Sequence, residues 1–426
     1  MDIYLSPSES KNGLWTSSWY ANDVWQLNKR LTINAGLRFD RHSAYLPDQK
    51  GPGGQSFSRV NNIVDFNNWG PRLGVSFDLT GDGKTVAKAS YGQFWLYPAA
   101  DLSSGLNPNA TMWFNRYSWA DGNGNKVFDP GEQGALLSVQ GGRASTTFDP
   151  NLENTYVRQA TVYVEREIVN NFGVRTGFVW NGRRQVRGQI TVNRPLSAYT
   201  VPISIRDPGP DGRLNTADDG NTFTAYNLDA ATLAQTIVNT TTNLPEANSD
   251  YYTWELTATK REARRWSMLA SVAYTRRAEA ALGAGAAYTP NNLINTDGGR
   301  AKSTVWQGKI LATLHLPGAF NITPTVRNQA GTPFGRTFTQ ALNWGNATIR
   351  AEPVDAHRMP NITVFDLRTE KSMSASRGRV TGFFDIYNIF NTNAEQDLAF
   401  TSGASYLRPV AITSPRIARL GIKFVW

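Results

Sequence analysis

The stretch "DGNGNKVFDPGE" at 121–132 carries side-chain oxygens at a spacing that suits a hard cation. Asp121, Asn123, Asn125, Asp129 and Glu132 fall at positions 1, 3, 5, 9 and 12 of a calcium loop of the EF-hand type, with the Val127 carbonyl available at 7. Oxygens at alternate positions of a tight turn, closed by a bidentate carboxylate, supply the ligand number that Ca²⁺ requires. Position 6 is Lys126 where the pattern has Gly, so a cation sits beside the site and weakens it, although Gly122 and Gly124 supply backbone freedom. The competing reading is a metal-free polar turn. A second acidic run, "DPGPDGRLNTADDG" at 207–220, offers Asp207, Asp211, Asp218 and Asp219 at no standard ligand spacing and reads as a solvated turn.

Covalent chemistry finds little support. The three histidines, His42, His315 and His357, lie in no metal-ligand spacing, no GxSxG elbow is present, and Cys is absent. "GDGKT" at 81–85 would need Gly at 78 to form a phosphate loop, and that position is Asp78. No catalytic or cofactor-binding residue is assigned, and the chain is read as a non-enzyme.

The elements that position these loops are strands. Aromatics make up 12% and charged residues 18% of the 426 residues, a composition that leans towards β-structure. No run approaches the roughly 18 apolar residues of a spanning helix, whereas a membrane β-barrel keeps its hydropathy low by alternating lipid-facing with lumen-facing residues. The formal charge of +9 is dispersed, so nucleic acid is not expected as a partner. Met1 is followed by "DIYLSPSES", in which no signal peptide is visible.

Period-two alternation predicts about thirteen strands. In "LTINAGLRFD", Leu31, Ile33, Ala35, Leu37 and Phe39 share one face, with Thr32, Asn34, Gly36, Arg38 and Asp40 on the other. Tight connections follow Leu27 and occupy 80–84, 170–171, 261–265, 317–319 and 373–377; between them run long polar connections at 44–69, 97–152, 188–249, 279–302, 332–360 and 389–412. Short and long alternate strictly. Compact soluble domains rarely carry several such loops, whereas outer-membrane barrels have short periplasmic turns and long extracellular loops. Trp180, Trp254, Trp266, Tyr274 and Trp306 near strand ends suit a membrane interface, and Arg38, Lys88, Arg175, Glu255 and Asp385 suit a wet lumen or a polar plug. The expected fold is an all-β antiparallel transmembrane barrel in the bacterial outer membrane. An odd strand count implies that further N-terminal strands precede Met1, since single-chain barrels close with even numbers.

The stretches "WYANDVWQLNKRLTINAGLRFDRH" and "NNWGPRLGVSFDLTGDGKTVAKASYGQFW" resemble the barrel of TonB-dependent outer-membrane receptors, most of all the Oar-like branch with its carboxypeptidase-regulatory-like domain. "ENTYVRQATVYVERE", "NQAGTPFGRTF" and "FFDIYNIFNTNA" continue the similarity over nearly the whole chain. The resemblance implies a 22-stranded barrel filled by a plug, so about nine strands, the plug and the signal peptide are expected upstream. It also implies ligand capture by the loops, uptake energised through the TonB complex, contact with outer-membrane lipid and lipopolysaccharide, and insertion by the barrel assembly machinery. An adhesin, a structural surface protein or a passive porin is the alternative. In "RIARLGIKFVW", Leu420, Ile422, Phe424 and Trp426 form an apolar row opposite Arg419 and Lys423, similar to the signal read by that assembly machinery.

Overall fold

The alternating stretches form strands wherever the pattern predicts them. The computed structural model describes residues 1–6, 9–142, 146–281 and 289–426. Its main feature is a single 13-stranded antiparallel sheet in strict chain order. The strands are β1 Gly13–Gln26, β2 Leu31–Leu46, β3 Val60–Asp78, β4 Thr85–Trp95, β5 Tyr156–Val169, β6 Phe172–Arg184 and β7 Ser249–Ala263. They continue as β8 Trp266–Ala280, β9 Arg300–Leu316, β10 Phe320–Gln329, β11 Ile362–Ala375, β12 Gly378–Tyr387 and β13 Ile417–Val425.

One rim of this wall is made of short turns. Arg264 and Arg265 both take positive φ, 55° and 68°, a two-residue turn whose twist matches the flanking strands. Two turns are tighter than the sequence suggests, because cross-strand pairs Ala263↔Trp266 and Ala375↔Gly378 extend the ladders to within two residues of reversal. At the β3–β4 turn the Asp78 carboxylate accepts Gly81 and Gly83 N–H, each at 2.9 Å, closing a compact hairpin in place of any phosphate loop.

The other rim carries the long connections, and these are not structureless. Paired segments occur within them at Phe114–Trp119 with Gln133–Gln140, Val201–Arg206 with Thr222–Asn227, and Thr337–Leu342 with Gly345–Arg350. The first connection is shorter than expected, since β2 reaches Leu46 and β3 begins at Val60. Inward-facing Ala44, Val64 and Phe66 keep those strands paired by burying themselves against Leu152 of the next connection. Residues 143–145 and 282–288, parts of the expected 97–152 and 279–302 connections, lie outside the described residues.

Register carries each side chain to one face or the other. Ile33, Val75, Ala89, Val162, Phe178, Trp254, Tyr274 and Trp306 follow one another across β2 to β9 on the outer face. Many outer-face side chains are exposed, among them Ile310 at 51% and Trp254 at 44%. All four buried apolar clusters of the described residues instead lie at the long-loop rim and in the loops above it. A wall with no apolar core of its own and a bare apolar outer face requires a non-aqueous solvent on that side.

Candidate ligand-binding cap and lumenal wall

The inner face is polar and cross-linked strand to strand. Arg38, Lys88, Arg175, Glu255 and Asp385 share it by register, as their alternation predicts. Lys88 pairs with Glu165 at 2.7 Å, Arg327 with Asp366 at 3.0 Å, and Tyr163 donates to Glu255 at 2.8 Å. Arg38 grips Asp40, which also accepts from Ser18. Near the long-loop rim a cavity of about 210 Å³ is lined by Arg38, Asp40, His42, Arg72 and Tyr97, a charged concavity open to the interior.

Above the wall the loops pack into a cap. The 201–227 hairpin contributes Ile205 and Ala225, and the 337–350 hairpin contributes Phe338, Ala347 and Ile349, to one cluster. Beside it Arg336 makes a bidentate ion pair with Asp207, Nη1 to Oδ1 at 2.6 Å and Nη2 to Oδ2 at 2.5 Å. Both side chains are buried, at 7% and 4% exposure. Arg336 also donates to Ser402 Oγ, while Thr337 N–H donates to the Phe400 carbonyl and Ser402 N–H donates to the Thr337 carbonyl, joining this hairpin to the 388–416 segment. Three loops therefore meet at one guanidinium.

The solvated-turn expectation for 207–220 is corrected by this contact. Asp207 is spent on Arg336, and Asp219, with its side chain 2% exposed, pairs with Arg206 at 3.2 Å. Asp211 and Asp218 do stay near solvent, and the Thr216 hydroxyl holds the Asp218 carboxyl below its ordinary range. Nothing in the local sequence marks Asp207 out. Its partner lies 129 residues away, and only the packing of the two hairpins brings them together.

Residues 121–132 form the tip of the 114–140 hairpin. Glu132 accepts from the Trp119 indole, from Asp129 N–H and from Gly122 N–H, all at 3.0 Å, and these donors, led by Trp119, hold its carboxyl below the usual range. Asn123 and Asn125 donate to Asp129, and Lys126 N–H donates to Asp121 at 2.9 Å. Lys126 adopts φ of 60°, the left-handed conformation that Gly supplies at this position of a calcium loop. All five expected ligands are thus in one turn. Most of their oxygens are engaged by internal donors, although Asp121 Oδ1 is buried without a partner, and among the described residues no three His, Asp or Glu groups converge as metal ligands.

Residues 3–313 match the family model described as the outer membrane beta barrel domain. The chain belongs to this family. It is accordingly an outer-membrane β-barrel protein. The fold is similar to that of the outer membrane transporter YddB from Escherichia coli, at 10% identity and a TM-score of 0.51 over 96% of this chain and 54% of that one. It is similar also to the copper transporter OprC, at 12% identity and 0.50 over 97% and 48%, and to the siderophore receptor PiuA from Acinetobacter baumannii, at 12% identity and 0.51 over 97% and 43%. The chain thus spans about half the length of these structures. No curated protein matches it.

Membership of the barrel family gives the outer face its solvent. Trp254, Tyr274 and Trp306 are cross-strand neighbours in one aromatic row, with Trp180 and Tyr252 one step closer to the long-loop rim. Trp266 stands at the short-turn end with Lys260 over its ring at 4.3 Å. Amphipathic rings at both ends of the lipid-facing strands are the expected interface anchors. At the final strand, Leu420, Ile422, Phe424 and Trp426 share the lipid face with the β12 row Phe384, Gly382 and Val380.

Proposed function

We propose that this barrel is part of a TonB-dependent receptor of the Oar-like branch, which captures a ligand in its extracellular cap and passes it through the lumen with energy from the TonB complex. The observation that carries the reading is the cap, in which buried hairpins and the Arg336–Asp207 pair hold three loops in one arrangement over a polar wall. Loops ordered before binding lose less conformational entropy on capture, which suits a receptor. The similarity of the stretches at 19–42 and 67–95 to that receptor family supports the coupling to TonB. Copper and siderophores, the cargoes named for two structures of similar fold, are first candidates, beside oligosaccharides and peptides.

One observation favours an adhesive surface protein instead: Leu136, Leu137 and Val139 on the 114–140 hairpin are exposed. Uptake assays separate the two. In cells carrying or lacking the full-length protein, accumulation of labelled copper, ferric siderophores, oligosaccharides and peptides is measured with and without a protonophore. Receptor function predicts protein-dependent uptake of one class that the protonophore abolishes. Uptake indifferent to the protonophore means a passive porin, and no uptake with loss of surface attachment means an adhesin.

A further inference from the structure

Asparagine followed by glycine occurs three times, at Asn12–Gly13, Asn123–Gly124 and Asn181–Gly182. Such a pair can modify itself: the glycine nitrogen attacks the amide carbon of the asparagine side chain, and no Cβ on the glycine crowds the approach. The fold decides which of the three is free to react. Asn181 and Gly182 lie inside β6 and pair on both sides, with Gln159 and Arg158 of β5 and with Tyr251 and Asp250 of β7. Gly182 is buried, and the Trp180 ring lies over it. An extended backbone paired on two sides cannot turn its nitrogen towards the side chain without breaking the ladder. Asn12 is held at the start of β1. Its Oδ1 accepts from the buried Asn107 amide at 3.1 Å, and Gly13 pairs with Tyr45, whose ring covers it.

The third pair is arranged differently. Asn123 and Gly124 are both exposed at the tip of the 114–140 hairpin. Asn123 Oδ1 accepts the Asn125 N–H at 3.0 Å, which folds the side chain back over its own backbone. That closure brings the amide carbon alongside the intervening Gly124 nitrogen, and the accepted hydrogen bond draws electrons away from the same carbon. Gly124, at a φ of 74°, has an N–H without a hydrogen-bond partner among the described residues, so no bond has to break before it reacts. Asn123 Nδ2 donates to Asp129 Oδ2 at 2.6 Å, and this donor helps to close the tip.

We propose that Asn123 is a self-modification site of the folded protein, and that its deamidation opens the 121–132 tip. Gly124 N gives its proton to solvent and bonds to the Asn123 amide carbon. The bond from that carbon to Nδ2 then breaks, and ammonia leaves with a solvent proton. Water opens the resulting five-membered ring to a carboxylate, as aspartate or isoaspartate. Asparagine and water thus give the acid and ammonia, with no change of oxidation state. The new carboxylate stands where Asp129 had a donor, so a hydrogen bond becomes a contact between like charges. The strand leaving this tip carries the exposed Leu136, Leu137 and Val139, so a one-way change that needs no enzyme acts beside the apolar surface of the hairpin. The site is independent of any transported cargo.

The test holds the full-length protein for days at mildly alkaline pH, folded in detergent or unfolded in urea, and follows the mass gain of each asparagine peptide. Heat-modifiable migration in gels confirms the folded state. In urea the three pairs react at similar rates. In the folded protein Asn123 keeps its rate, while Asn12 and Asn181 fall to about a hundredth of theirs or less, because each must wait for local opening. Gly124→Ala slows the reaction at Asn123 about tenfold in urea, where only the crowding by Cβ acts. Asn123→Asp, made directly, speeds hydrogen–deuterium exchange at 121–132 about fivefold, the loss of one exposed hydrogen bond, and Asn123→Asp/Asp129→Asn restores it by reversing donor and acceptor. Protection of Asn123 in the folded protein equal to that of Asn181 overturns the site. Unchanged exchange in Asn123→Asp overturns the opening of the tip.

Discussion

Replacing Arg336 by Met removes the guanidinium on which three long connections meet and leaves the Asp207 carboxylate buried with one remaining donor, Gly209 N–H at 3.0 Å. Removing one partner of a buried pair costs about 3–5 kcal/mol, because the surviving charge has neither water nor counter-ion. Both side chains here are almost fully enclosed, so the upper part of that range applies. The wall strands do not depend on this contact, so the cost falls on the cap, whose opening equilibrium rises by about a thousandfold. Hydrogen–deuterium exchange of the folded barrel reads this directly, as faster exchange at 201–227 and 337–350 with β9 to β11 unchanged. Adding Asp207→Asn to Arg336→Met removes the stranded charge, so the double variant exchanges more slowly than Arg336→Met alone. Exchange within threefold of wild type in the single variant, or strictly additive effects in the double, would refute the reasoning.

Four other outcomes follow from the same geometry. Ile310→Arg, on the lipid face opposite Val326, costs about 2–4 kcal/mol of barrel stability, whereas Thr325→Arg on the lumenal face is tolerated; equal urea-unfolding midpoints for the two would remove the assignment of faces. The depressed Glu132 carboxyl stabilises the 119–132 tip at every pH above its ordinary value of 4.5 and loses that contribution as acid protonates the folded form, so exchange there accelerates only on acidification, and Glu132→Gln removes the dependence. Calcium titration of the full-length protein gives a heat only in about the millimolar range, because the cation must displace Trp119, Gly122 and Asp129 from Glu132; no heat there, or an undiminished one in Asp121→Ala, excludes the loop as a calcium site. Phe424→Ser/Trp426→Ser, altering the lipid-facing row of β13, reduces the heat-modifiable fraction of newly made protein, and unimpaired insertion argues against an assembly role.

The wall was legible in the sequence because its information is local. A strand that alternates Leu31, Ile33 and Ala35 with Thr32, Asn34 and Gly36 declares both its period and its two solvents, and the Asn170–Asn171 pair marks its own turn. The inner-face residues Arg38, Lys88, Arg175, Glu255 and Asp385 followed from parity alone. The cap was not legible. Asp207 looks like any aspartate in a Gly/Pro-rich turn, and Phe338 like any strand aromatic, until two hairpins far apart in sequence pack together. The lengths of two turns were misjudged for a related reason, since only cross-strand pairing decides whether Arg261 and Met373 lie inside a ladder or beyond it.

Among the described residues the buried apolar clusters lie at the long-loop rim and in the loops above it, and none lies on the outer face of the wall. The molecule's two halves therefore answer to different pressures over evolutionary time. The wall must go on suiting the bilayer and matching hydrogen bonds with its neighbours, which restricts it to substitutions that preserve parity. The cap carries its own interior, so whole hairpins can be exchanged, lengthened or recoloured without refitting the sheet beneath. Among descendants of one such chain, the inner and outer faces of the strands should change slowly and in register, while new recognition surfaces are grafted above them as replaceable parts.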